Sequence, residues 1–372
     1  MKNIHPQARR KRTGHFILLL VLLWLLIDLI FGIPVIWKIT RTEAWVRVGD
    51  PELHHSFRPM SHQTEQYGPE QHQIFINSLG GKDESCREVS LVAKEPRVAV
   101  FGDSFAEGWG LPFAETVPGQ LRRLLSPQGV EVLGFGISSH CPSLNERWMK
   151  KLIRKGVRWD LALLLIDPGD SYDEKEVKSF LEGRTTAKKK NSPRFFRLRW
   201  YEYSLTYQVI CQIRKRMNSD QSPALDLRQA VRGNNWKVAW LNQDGNTPWF
   251  QEGLEQSARA VRGIRALATE NKFRLLIVVY PYPKMIAEQK LSNDYIDFWT
   301  SFSQENRIPF KDLSPLFLEE GKSVDDVYRE NFIPGDFHWN QAGSTRIAKH
   351  LVPWILKNLP DRKVAPDKVS NP

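Results

Sequence analysis

Residues 97–105 read RVAVFGDSF. The apolar run RVAVF lies between Pro96 and Gly102, which predicts a short buried strand over 97–101 followed by a turn carrying Asp103 and Ser104. Downstream, ETVPGQLRRLL (115–125) has apolar residues at helical spacing, VEVLGF (130–135) reads as a second strand, PSLNERWMKKLIRKG (142–156) as a second helix and DLALLLI (160–166) as a third strand. A helix around 252–271, the strand FRLLIVVY (273–280), a helix around 289–305, a short strand at Ile308–Phe310 and a final helix from about Gln341 to Asn358 complete the pattern. Strands alternating with helices need crossover connections, so the expected fold is α/β, a parallel sheet covered on both faces.

The chain has 372 residues, 41% hydrophobic and 26% charged, with 13 Trp and 19 Phe. A disordered chain lacks the aromatics to offset its ordering entropy, so this composition is globular. The three cysteines, Cys86, Cys141 and Cys211, are too few for a disulfide scaffold and are not spaced as CxxC. His54, His55, His62 and His72 stand without a ligand pattern, so no metal is expected. Nor is a cofactor. The net charge of +11 is concentrated in two places: five Lys/Arg in the first fifteen residues, and thirteen Lys/Arg against three acids between Arg184 and Lys237. Nucleic acid is not expected as a partner, because the segment that would bind it lies on the exported side of an apolar anchor at residues 16–37.

FILLLVLLWLLIDLIFGIPVIW (16–37) is 22 residues with one charge, and at 1.5 Å per residue it spans roughly the 30 Å hydrocarbon layer. It reads as a transmembrane anchor rather than a cleaved signal peptide, whose apolar region is shorter and ends in small residues. The basic block Arg9–Arg12 keeps residues 1–15 in the cytoplasm as a basic tail and puts everything after about residue 38 outside. Asp28 is costly in this run unless it sits near the far interface or is paired with a partner helix, and both readings stay open here. The expected order is then a polar stalk and lead-in over 38–95, an α/β domain over 96–360 and a polar tail over 361–372. A basic, aromatic insertion at about 171–249 interrupts the domain and includes KKK (188–190) and RFFRLRWYEYSLTYQ (194–208). Its basic and aromatic residues suit stacking on sugars or bases, contact with lipid headgroups, or a solvated lid.

Two segments carry chemistry. Gly102-Asp103-Ser104 ends the first strand, and ligands of an open parallel sheet bind beyond the carboxyl ends of its strands. Gly335-Asp336-Phe337-His338-Trp339 precedes the last helix. A serine hydroxyl needs a base to take its proton; His338 is a candidate, with Asp336 to orient it.

GDS after strand one and DxH before the last helix together resemble the SGNH (GDSL-type) hydrolase family, over roughly 97–170 and 270–355. The resemblance implies a flavodoxin-like three-layer α/β/α sandwich with a nucleophile at Ser104 and a catalytic pair at Asp336 and His338. It places backbone oxyanion donors at Ser104 and, through GFGISSHCPSL (134–144), at Gly136. Asp103, Ser138 and Trp339 are the neighbours expected to meet substrate. The departure is the third motif, where members carry GxND and this chain has IDPGDSYDE (166–174). Asp170 is the nearest counterpart of the lost Asn, and an ionised Asp cannot donate to an oxyanion. With VVYPYP (278–283) and IPGDFHWNQAG (333–343), this run resembles a membrane-anchored subgroup with an acidic third motif, and more loosely the exported proteins that acetylate envelope polysaccharides.

The implied activity is acyl transfer through an acyl-enzyme on an ester, expected to be an O-acetyl group of an envelope carbohydrate. Water as acceptor makes an esterase. A sugar acceptor makes an O-acetyltransferase working with a membrane-bound acyltransferase partner. The alternative from another class is a non-catalytic domain that binds a glycan or a partner.

Overall fold

The computed structural model describes residues 6–42, 46–67, 70–183, 204–207, 209–210, 213, 237, 248–289, 294–318 and 321–360. KKK (188–190), most of the 194–208 stretch, Cys211 and the 361–372 tail lie outside the described residues. The chain divides into two compact units, one of residues 1–44 with 192–224 and the other of 45–191 with 225–372.

The first unit is built on α1 (Pro6–Thr42). Its span His15–Ile33 is long and apolar enough to cross a membrane, and its large apolar side chains other than Leu29 are exposed.

Among the described residues of the second unit, ten strands form in chain order: β1 (Arg47–Asp50), β2 (His54–Phe57), β3 (His62–Tyr67), β4 (Glu70–Ile76), β5 (Lys82–Asp83), β6 (Arg97–Phe101), β7 (Glu131–Gly134), β8 (Leu161–Ile166), β9 (Arg274–Val279) and β10 (Phe310–Asp312). β1 and β2 pair as a hairpin, and the other eight form one sheet in the order β10-β9-β8-β6-β7-β5-β4-β3. The five strands from β10 to β7 are parallel, while β5, β4 and β3 run antiparallel at one side. Every residue of β6 and β8 is buried, as expected of strands covered on both faces. Even Arg97 is 1% exposed, because Glu131 and the carbonyls of Ser90, Leu91 and Arg158 take its guanidinium.

The helices of this unit are α2 (Ser104–Glu107), α3 (Val117–Leu125), α4 (Pro142–Arg154), α5 (Asp170–Leu181), α6 (Pro248–Asn271), α7 (Pro283–Ala287), α8 (Asp294–Glu305), α9 (Val324–Asn331) and α10 (Gln341–Asn358). α3 packs with α10, and α4 and α5 pack with α6, so two helical groups flank the sheet as an α/β/α sandwich. β6 has β7 on one side and β8 on the other. The chain reverses its winding direction at β6, which opens a crevice beyond that strand's carboxyl end.

Two expectations are revised. The 38–95 segment, read as stalk and lead-in, contains five strands, three of them in the main sheet. Its apolar periodicity is weak because, among its described residues, seven polar side chains, Asp50, Ser56, Ser61, His72, Asn77, Lys82 and Asp83, are buried alongside seven apolar ones. Among them Lys82 donates to the carbonyls of Gly108 and Leu111, and Asp83 takes Arg122 and Arg87. The start of the supposed insertion, Asp170–Leu181, is a helix of the fold itself. Its Val177 and Phe180 are buried with Cys141 and Leu144. Polar Asp170, Ser171, Asp173 and Glu174 occupy its other buried positions and mask the helical period.

Candidate active site

The turn after β6 depends on Gly102. Its φ is +149°, and a Cβ there would stand 2.8 Å from both the Ala106 Cβ and the Leu165 carbonyl oxygen. Glycine therefore lets the chain turn at once into α2. Asp103 caps that helix by accepting from the Phe105 N–H at 3.0 Å, which makes Ser104 its first residue.

The partner loop comes from the other end of the sequence. Ile333 N–H donates to the His338 carbonyl, Asp336 N–H to the Ile333 carbonyl, and Asn340 caps α10 through the Gly343 N–H. This loop delivers His338 to Ser104 across 234 residues of sequence: Nε2 lies 2.8 Å from Ser104 Oγ, and Nδ1 lies 2.6 Å from Asp336 Oδ1. Asp336 Oδ1 also accepts the His338 N–H at 2.8 Å, and its Oδ2 takes the Tyr67 hydroxyl from β3. Burial pushes the Asp336 carboxyl up, but His338 and Tyr67 outweigh it and hold the group below the usual carboxylate range. An ionised Asp336 favours the tautomer with the proton on Nδ1, which leaves Nε2 to accept the Ser104 proton. Ser104 Oγ also lies 3.3 Å from Asp103 Oδ2, a longer contact than the one to His338.

Gly136 lies where the loop after β7 crosses α2. A Cβ there would stand 2.2 Å from Glu107 N and 2.3 Å from the Ala106 carbonyl carbon, so only glycine fits this approach. Its neighbours Phe135 and Ile137 donate to the carbonyls of Val100 and Gly102. Ser138 N–H donates to Glu107 Oε2 at 2.7 Å, and the Ser138 carbonyl lies 2.7 Å from His55 Nε2. Glu107 in turn holds Arg47 of β1, whose guanidinium lies 4.5 Å from the centre of the Trp109 ring. Two strands of the supposed lead-in thus brace both sides of the loop.

Beneath the turn lies an acidic group with tyrosine partners. Tyr280 donates to Asp103 Oδ1 at 3.0 Å, and the Tyr282 hydroxyl lies 2.6 and 2.8 Å from the two oxygens of Asp167. Burial first, then the neighbouring Asp103, pushes Asp167 well above the usual carboxylate range. Asp170 accepts the Asp167 N–H at 2.9 Å, and burial with the charges of Asp167 and Asp103 raises it as well. The raised direction favours the neutral form, which unlike an ionised Asp can donate a hydrogen bond. Lys237, near the end of the insertion, pairs with Asp173 at 2.6 Å.

Ser104, Asp336, His338 and Asp103 meet at this turn. Two residues expected to meet substrate do something else. Asp103 is 1% exposed and acts as a helix cap. Trp339 is 3% exposed, with its ring 4.6 Å from Phe105 and 4.7 Å from Tyr280, because its bridge to Phe332 turns it into the core. Ser138 is half-buried. Cys86 and Cys141 are unpaired thiols. Arg47, His55, Tyr67 and Glu107 escaped the sequence reading. Over Gln71–Ile74 in β4 exposed and buried residues alternate, but buried His72 is polar and hides that alternation in the sequence.

No protein-family model and no curated protein matches the sequence. Solved structures do match in part. A member of the lipolytic protein G-D-S-L family from Veillonella parvula is 11% identical, with 70% of this chain and 98% of that chain covered and a TM-score of 0.38. A GDSL-like lipase from Bacteroides thetaiotaomicron is 13% identical over 73% and 93% of the two chains, with a TM-score of 0.38. A catalytic mutant of an acetylxylan esterase from Geobacillus stearothermophilus is 12% identical over 72% and 96%, again at 0.38. At these values the likenesses carry no conclusion about activity.

Proposed function

We propose that the chain is an SGNH-type serine ester hydrolase, anchored in the cell membrane by α1 with its α/β domain outside, acting on O-acyl groups, chiefly acetyl, of an envelope carbohydrate. The observation that carries the reading is the chain of hydrogen bonds from Asp336 through His338 to Ser104, at the switch point of a parallel sheet. The resemblance of both motifs to the SGNH pattern supports it. The carbohydrate reading rests on the anchor and on the basic, aromatic insertion, which suit a long substrate at a surface.

In this reading His338 Nε2 takes the Ser104 proton as Oγ attacks the ester carbonyl carbon. The carbonyl π pair moves onto oxygen, where the backbone N–H groups of Ser104 and Gly136 receive it. The pair returns, the bond to the alcohol oxygen breaks, and His338 gives its proton to the departing alkoxide. Water then repeats the sequence on the acyl-enzyme and releases the acid. Asp336 stays ionised and stabilises the imidazolium formed in each step.

The test is burst-phase hydrolysis of 4-nitrophenyl acetate by the full chain in detergent micelles, comparing wild type with Ser104→Ala and His338→Ala, with and without a polysaccharide acceptor. The expected result is turnover by wild type and a fall of about 1,000-fold or more in each variant. Acetyl appearing on the added sugar in place of free acetate would reassign the protein as an O-acetyltransferase. Equal rates in wild type and Ser104→Ala would overturn the reading.

A further inference from the structure

The acid within the apolar run of α1 has a partner supplied by the chain itself. Asp28 is 8% exposed, and its Oδ1 accepts the Thr206 backbone N–H at 3.0 Å and the Thr206 hydroxyl at 3.1 Å. Thr206 lies in the basic, aromatic segment, 178 residues away and in the same compact unit as α1. Of the span His15–Ile33, Asp28 is five residues from the Ile33 end, which at 1.5 Å per residue is about 7–8 Å inside that boundary. A helix lying in the headgroup–acyl boundary is buried to about 5–10 Å, the same depth.

The residues around Thr206 have the composition such a position needs. Residues 205–207, 209–210 and 213 are helical. Tyr207, Val209, Ile210 and Ile213 are 37%, 53%, 49% and 51% exposed, an apolar group beside an apolar helix whose own large side chains are also open. The sequence brackets this group with Arg194, Arg197 and Arg199 before it and Arg214, Lys215 and Arg216 after it. Cations on both sides of a short apolar stretch complement anionic headgroups above an acyl layer. Asp28, which alone would be costly in hydrocarbon, is covered by donors from the segment that shares its depth.

We propose that the helical residues around Thr206 (205–207, 209–210 and 213) lie in the headgroup–acyl boundary of the bilayer that α1 crosses, forming a second membrane contact locked to the anchor through Asp28 and Thr206. The proposal rests on the reading of α1 as an anchor. The occupant of the exposed apolar face is lipid.

The test uses the full chain in vesicles of phosphatidylcholine with one quarter phosphatidylglycerol. An environment-sensitive NBD fluorophore is attached at Ile210→Cys in a Cys86→Ser, Cys211→Ser background. Cys141 is buried, and burial with the nearby Glu174 raises its thiol well above the usual range, so it stays unlabelled. Leu20→Cys in α1 reports the anchor, and Leu318→Cys, 57% exposed on the second unit, reports water. The expected result is that labels at 20 and 210 are quenched by doxyl lipids and several-fold less by iodide than the label at 318. Shallow 5-doxyl lipid should act best on 210. Iodide quenching at 210 equal to that at 318, with 20 still in lipid, overturns the proposal alone. Protection at 210 from both quenchers also overturns it, since protein rather than lipid would then cover the face. Iodide access at 20 means that the anchor reading has failed, and the proposal falls with it.

Discussion

Replacing Gly136 by Ala tests whether the loop after β7 and the helix that starts with Ser104 form one unit. The new Cβ would sit 2.2 Å from Glu107 N and 2.3 Å from the Ala106 carbonyl carbon. Ordinary contacts begin near 3.4 Å, so loop and helix must separate by about 1 Å, and both are backbone that no rotamer change can move aside. α2 is only four residues long and starts at Ser104, so the shift reaches both the nucleophile and the proposed oxyanion donors. A misplacement of about 1 Å costs about 100-fold in rate, and loss of one oxyanion donor costs about 100–1,000-fold. The expected outcome is a kcat for 4-nitrophenyl acetate lower by about 100-fold or more, with KM little changed. Overpacking should lower stability by about 1–3 kcal/mol, read as a urea midpoint with an unchanged slope. A folded Gly136→Ala protein with wild-type kcat would refute the argument, because it would mean that the loop can move without disturbing Ser104.

Tyr67→Phe removes the hydroxyl that reaches Asp336 Oδ2 from β3. It should lower kcat by about 10-fold with KM unchanged, water replacing part of a bond to a charged group that contributes about 1.5–3 kcal/mol; an unchanged kcat would exclude a positioning role. Glu174 is buried, and burial raises its carboxyl from 4.5 to about 7 against the Ser143 hydrogen bonds that lower it. A folded pKa above the unfolded one means stability that is complete below about 4.5 and lost as pH rises through about 7. Wild type should therefore lose about 3 kcal/mol relative to Glu174→Gln between pH 4 and pH 8 in urea titrations, and parallel stability curves would contradict this. Glu107→Leu leaves the Arg47 guanidinium beside Trp109 with Glu65 alone. It should cost about 3–5 kcal/mol, against about 1 kcal/mol or less for Glu330→Leu at the exposed Lys322 pair, and equal midpoints for the two variants would rule out a buried-pair effect.

The sequence by itself determined the sheet's parallel half. RVAVF, DLALLLI and FRLLIVVY are apolar along their length because each strand meets helices on both faces, and Gly102, Gly335 and Asn340 mark turns through local backbone and capping requirements. The apolar run of α1, Ser104 at a strand end, and Asp336 and His338 before a helix were legible for the same reason: each is set by near neighbours in the chain. Periodicity reports contact with an apolar core, so it did not report elements whose buried faces are polar. Lys82 and Asp83 are 2% and 1% exposed in β5, and Asp170, Asp173 and Glu174 are buried in α5. Those residues look solvated in sequence, and Lys82, Asp83, Asp173 and Glu174 are held inside by partners distant along the chain. Only the tertiary structure decided that Tyr67 meets Asp336 across 269 residues and Arg47 meets Glu107 across 60. It likewise turned Trp339 inward and covered Asp28 with Thr206. A hydrogen bond between side chains far apart in sequence leaves no spacing to read, because the sheet and helices between them set the distance.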